Sequence, residues 1–231
     1  MASIWFIDTN VIASWVIVKS NLLRLLSERY SLPSEYHRLY EERFKEDVEF
    51  IDRILNSDRE KFQKKYEIYF SFLASNELFS AIKDEVLSLK LFHKGEPVSR
   101  WPGAKNFIKL SKDEAKFIYD TTFGVWDILF DERIVILADD PDIDSTPADT
   151  NSIDSDYWDV YAPLLFTMDN TKTQDIMLIT TAIMNRADVF VTRDERLISS
   201  VKKVLKDKYE LEIIKPNTAN LRMKKELQSI D

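Results

Sequence analysis

Two stretches built alike constrain this chain more than anything else in it. Ile4-Trp5-Phe6-Ile7 runs into Asp8-Thr9-Asn10, and Val189-Phe190-Val191-Thr192 runs into Arg193-Asp194. In each, an apolar run free of Gly and Pro meets an acid, and a helical apolar pattern follows. Each reads as a buried strand with a carboxylate at its carboxyl end, the edge of an open parallel sheet where ligands sit. An acid at that place is either a turn and N-cap residue or a member of a site. What decides is whether other acids fall on the same edge.

Between these strands the pattern alternates. Val11, Ile12, Trp15, Val18, Leu22 and Leu25 predict a helix directly behind the first strand, up to a break at Ser31-Leu32-Pro33-Ser34. Tyr36, Tyr40, Phe44, Val48, Ile51 and Leu55 predict an amphipathic helix with Ser34 as N-cap, its aromatic stripe serving the core rather than a partner. A short charged helix over 59–65 precedes a strand over 66–70. Ser71 then caps a helix through Leu73, Leu78, Ile82, Val86 and Leu89, with Glu77 in its second turn. Residues 92–110 read as a loop, with Trp101 exposed between Arg100 and Lys105. Together with Arg193, these three are candidate nucleic-acid contacts, an aromatic ring to stack on a base and cations for phosphate. A helix over 111–130 and a buried strand over 134–138 lead into an aspartate-rich loop. Thr171 or Thr173 starts a helix through Ile176, Ile179, Ile183 and Arg186, with Asp175 in its first turn. After the strand at 189–192 come a helix over 195–205, a strand over 211–215 and a basic helix over 217–227. The expected architecture is a single α/β domain over 1–231, three-layered α/β/α around a central parallel sheet. Inserted segments are expected over about 31–65, helical, and about 92–170, the second a loop, a helix, a strand and the aspartate-rich loop.

Composition narrows the chemistry. With no cysteine and only His37 and His93, thiolate nucleophiles, Cys-ligated metals and a Ser-His-Asp triad lack material, so catalysis would rest on carboxylates. No apolar run approaches the ~20 residues of a membrane span, and no basic leader precedes the first strand, so a cytoplasmic protein is expected. The net charge of -8 is concentrated. Nine aspartates and no Lys, Arg or Glu lie between Ile134 and Thr171, leaving the remainder near about +1 and compatible with a phosphate backbone. Asp140, Asp142 and Asp144 begin like a calcium loop, but Ser145 and Asn151 stand where such a loop needs Gly and Glu. A solvated acidic loop is the simpler account, and a gate over the site the sharper one.

Asp8 and Asp194 end two strands, Asp175 opens the helix leading into the second of them, and Glu77 lies early in another crossover helix. Four carboxylates on one edge raise one another's pKa unless a counter-charge intervenes. Mg²⁺ or Mn²⁺ supplies it, takes oxygen ligands, and activates a water for phosphodiester hydrolysis without a histidine. A phosphatase with an aspartate nucleophile would need a second acid two residues on, where Asn10 stands.

Phe6-Ile7-Asp8-Thr9-Asn10, Ser71 followed by Glu77-Leu78, Asp175 to Ala182, and Val191-Thr192-Arg193-Asp194 together resemble the PIN-domain nucleases, among them the VapC-like toxin ribonucleases. The step of 19 from Asp175 to Asp194 is similar to theirs, whereas 69 from Asp8 to Glu77 and 98 from Glu77 to Asp175 exceed the compact toxins. The resemblance covers segments 1–30, 66–90 and 171–215. It implies a PIN-like fold with inserted helices, and an Mg²⁺- or Mn²⁺-dependent endoribonuclease whose metal ligands and catalytic residues are Asp8, Glu77, Asp175 and Asp194. Asn10 and Thr192 would be supporting residues. It further implies an RNA substrate, with an antitoxin protein and a homodimer as possible partners; the lack of a long apolar run implies no membrane. The alternative is a catalytically silent or gated PIN-like domain that binds RNA or protein.

Overall fold

The structure is a computed structural model and describes residues 2–20, 22–71, 74–131, 135–138, 155–167 and 173–229. Five strands form one sheet in the order β3-β2-β1-β4-β5: β1 Ser3–Ile7, β2 Tyr66–Ser71, β3 Val135–Ala138, β4 Val189–Val191 and β5 Glu212–Ile214. All neighbouring pairs are parallel. Between β1 and β2 come α1 Thr9–Lys19, α2 Leu22–Tyr30, α3 Glu35–Asn56 and α4 Arg59–Lys65. Between β2 and β3 lie α5 Ala74–His93, the short α6 Trp101–Ala104 and α7 Lys112–Asp131. The chain then runs through α8 Ser155–Thr167 and α9 Thr173–Met184 to β4, and through α10 Glu195–Tyr209 to β5, and ends in α11 Pro216–Gln228.

Strand alternation sorts the core into two layers. Trp5 and Ile7 of β1, with Val189 and Val191 of β4, face a cluster drawn from α1, α3, α5 and α11. Phe6 and Phe190 point the other way, stacked at 5.6 Å, into a cluster from α8, α9 and α10. Successive strand side chains point to opposite faces, so both faces must be covered, and the fold is a three-layer α/β/α sandwich. Winding outward from β1 to β3 places helices on one face, and winding back through β4 to β5 places them on the other, as a single crossover hand requires. The reversal falls beside β1, the topological switch point where ligands bind.

α1 is buried from Val11 to Ile17, so this helix is enclosed by the core rather than amphipathic. It stops at Ser20, whose extended backbone and bond from its N–H to the Val16 carbonyl end the helix where the sequence predicted one continuous run through Leu25. The 31–65 segment packs into the main core: Tyr40, Phe44, Phe50, Ile51 and Ile54 of α3 and Phe62 of α4 are buried in one cluster with α1 and the sheet. Ser34 precedes α3 as predicted, but its hydroxyl makes no cap bond.

Other expectations shift. Ser71 is the last, fully buried residue of β2, and Glu77 falls in the first turn of α5 rather than the second. The 92–110 loop is instead largely helical turns around α6. The aspartate-rich loop lies outside the described residues over 139–154, but 155–167 is helix α8, where Tyr157, Tyr161 and Leu164 form a buried row at helical spacing. Nine aspartates in the composition hid that periodicity. α9 ends at Met184, two residues before Arg186, whose left-handed backbone (φ 55°) turns the chain out of the helix. Among the described residues no helix is long and apolar enough to cross a membrane.

Candidate active site

Asp8 follows β1 directly. Its N–H donates to the Val191 carbonyl of β4 at 2.9 Å, which fixes it at the β1/β4 junction. Its side chain is 6% exposed. Asp8 Oδ2 accepts from Asn10 Nδ2 at 2.6 Å and from Thr192 Oγ1 at 2.5 Å. Asn10 Nδ2 also reaches Thr192 Oγ1 at 3.2 Å, and the Asp194 N–H donates to that hydroxyl at 3.1 Å. Asn10 and Thr192 therefore knit the turn after β1 to the turn after β4.

The other three acids gather on the same opening. A cavity of about 640 Å³ at this edge is lined by Asp8, Thr9, Asn10, Glu77, Ser80, Ala81, Gln174, Asp175, Met177, Leu178 and Asp194. All four predicted carboxylates are among them, brought from the end of β1, the first turns of α5 and α9, and the N-cap of α10. No Lys, Arg or His is among these lining residues. Burial pushes the Asp8 carboxyl up to about 7; the Thr192 hydrogen bond opposes this, while the charges of Asp175 and Glu77 add to it. Asp194 caps α10, its Oδ1 accepting from the N–H groups of Arg196 and Leu197 at 2.9 and 3.0 Å.

The oxygen-only donor set matches a hard divalent cation in kind, and Asp8 gathers negative charge with no cation among the lining residues. Among the described residues, however, no three of His, Cys, Asp and Glu are arranged to hold a metal ion together. Mg²⁺ commonly takes only one or two carboxylates and keeps its waters for the rest.

The expected nucleic-acid contacts do not join this site. Trp101 is half-buried, with Nε1 donating to the Glu96 carbonyl at 2.9 Å, and Lys105 pairs with Asp84 at 2.6 Å. Arg100 is exposed on the same turn. None of the three lines the cavity. Arg193 turns away from it, toward α3: Nη1 donates to Ser14 Oγ at 2.8 Å, lies 3.3 Å from Asp47 Oδ2, and the guanidinium stands 4.7 Å over the Phe44 ring. Lys105 and Arg193 are thus taken by acids of neighbouring helices.

Two residues near the site escaped the sequence. Thr9, 4% exposed, donates to Glu77 Oε2 at 2.7 Å and so ties the first helix to α5. It stood inside the Asp8-Thr9-Asn10 motif without a role. Asp47, 4% exposed, has its carboxyl pushed by burial up to about 6, with Ser14 and Arg193 opposing. Its signal was its position: Phe44, Asp47 and Ile51 follow the buried stripe of α3, and an acid on such a stripe needs a partner.

The chain belongs to one family with an uncharacterized protein of Archaeoglobus fulgidus, to which it is 30% identical over 100 residues, 42% of this chain and 72% of that protein. No family profile matches the chain. No solved structure matches it.

Proposed function

We propose that this chain is a PIN-like, Mg²⁺- or Mn²⁺-dependent endoribonuclease. The single observation behind this is the meeting of Asp8, Glu77, Asp175 and Asp194 on one cavity at the switch point of the sheet. A bound Mg²⁺ or Mn²⁺ would supply Lewis acidity and a water acidic enough to attack a phosphodiester. Asp8, Glu77, Asp175 and Asp194 would hold it, directly or through its waters. Asn10 and Thr192 orient Asp8 through Oδ2, and Thr9 orients Glu77 through Oε2. Asp194 holds its position through the α10 amides. The charged residues of the lining are all acidic and repel a bare phosphate backbone, so the cavity suits a phosphate only when a cation is shared with it. Asp8→Asn should abolish cleavage of single-stranded RNA while the far-UV circular dichroism stays unchanged; full cleavage in that variant refutes the assignment.

A second possibility is a PIN-like domain that binds RNA or protein without cutting it. One observation favours it: the absence, among the described residues, of three acids arranged to hold an ion together. Equal Mn²⁺ affinity in the wild type and in Asp194→Ala would select this alternative.

A further inference from the structure

We infer that Asp47 of α3, acting through Arg193, is a positioning residue of this site. Taking the metal-dependent reading above as its basis, the inference extends the site to a helix outside the segments that carry the family resemblance.

Arg193 stands between Thr192, which bonds Asp8, and Asp194, which lines the cavity. The backbone there is extended, with Asp194 at φ -74° and ψ 99°, and successive side chains of an extended segment point to opposite sides. Val191 faces the α3 side of the sheet, and Arg193, two residues on, does the same. Anchoring the Arg193 side chain on α3 therefore sends Asp194 the other way, toward α10 and the cavity. The anchor is made of three contacts: the ion pair with Asp47, the hydrogen bond to Ser14 and the face of Phe44. Ser14 Oγ in turn donates to the Asn10 carbonyl at 2.8 Å, and the Arg193 N–H reaches Asn10 Oδ1 at 3.4 Å. One guanidinium thus braces both turns that carry the site.

Asp47 is otherwise hard to explain. It sits among Phe44, Phe50 and Ile51, where a carboxylate has lost its water, and Oδ2 makes no hydrogen bond beyond the ion pair. An apolar residue would pack there at less cost. What an aspartate adds is a fixed counter-charge for Arg193.

The experiment is Mn²⁺ titration of the full chain, free ion followed by electron paramagnetic resonance, with Tm measured in EDTA alongside. The variants are Asp47→Asn, Arg193→Lys, Ser14→Ala and Asp8→Asn. We expect Asp8→Asn to lose binding, Asp47→Asn to weaken it by about 10–100-fold, the usual cost of removing an outer support of a metal ligand, and Arg193→Lys to keep part of the affinity. Ser14→Ala removes one hydroxyl and keeps the packing, so it reads the same brace if Asp47→Asn does not fold; about a tenfold loss at an unchanged Tm is expected from it. Wild-type affinity in both Asp47→Asn and Ser14→Ala, with binding lost in Asp8→Asn, overturns the positioning role and leaves the metal site standing. Binding that survives in Asp8→Asn overturns the metal site itself, and the positioning role with it.

Discussion

At the scale of single residues, Asp8 is the carboxylic acid of the cavity that burial shifts upward. Its carboxyl is raised from 3.8 to about 7, chiefly by burial, so in the metal-free protein the folded state holds a proton that the unfolded state releases. The resulting stability is fully present below about pH 3.8 and is lost as the pH rises through about 7. The span of roughly three units corresponds to a contribution on the order of 4 kcal/mol at most. Urea unfolding in EDTA should show wild-type stability falling between pH 4 and 7, and Asp8→Asn flattening that fall; an unchanged slope in the variant would remove Asp8 as its cause. Asp47, raised to about 6, adds to the same trend. The identity of the four acids was legible from residue type and place in the pattern. Their protonation was not, because it depends on how much water the packed elements exclude.

Elements show where local rules suffice and where they fail. Asp194 does two things, capping α10 and lining the cavity, and substitutions separate them. Asn caps as well as Asp, so Asp194→Asn should match wild-type stability within about 0.5 kcal/mol, whereas Asp194→Ala should lose about 1 kcal/mol. Both should weaken Mn²⁺ binding; denaturant unfolding paired with Mn²⁺ titration tests the pair. Strands, with their apolar runs, were located to within a residue or so at each end. Helix ends were less legible. The chain has three glycines, and among the described residues Ser31, Arg186 and Glu210 take left-handed backbones in their absence. Glu210 closes α10 in this way, with its N–H on the Leu205 carbonyl, and the sequence carried no glycine to announce it. α8 was missed for the opposite reason, a clear apolar row obscured by the charge around it.

For the whole molecule, the order β3-β2-β1-β4-β5 makes residues separated by up to 186 positions into neighbours. A ligand that binds only this assembled site stabilises the fold by mass action, about 2.7 kcal/mol at a hundredfold excess over Kd. For a chain of this size that is about 5–10 °C in Tm, expected with Mn²⁺ in the wild type and absent in Asp8→Asn by scanning calorimetry. A wild-type Tm indifferent to Mn²⁺ would argue for the non-catalytic reading. Periodicity and spacing alone determined that strands and helices alternate and that acids follow strands, because those are local matters of side-chain pattern. Only the tertiary structure decided that Arg193 turns inward to Asp47, that Trp101 and Lys105 are occupied elsewhere, and that Thr9 serves Glu77. Each of these depends on which distant side chain arrives first at a buried polar group, and a polar group deprived of water takes the nearest partner the fold provides.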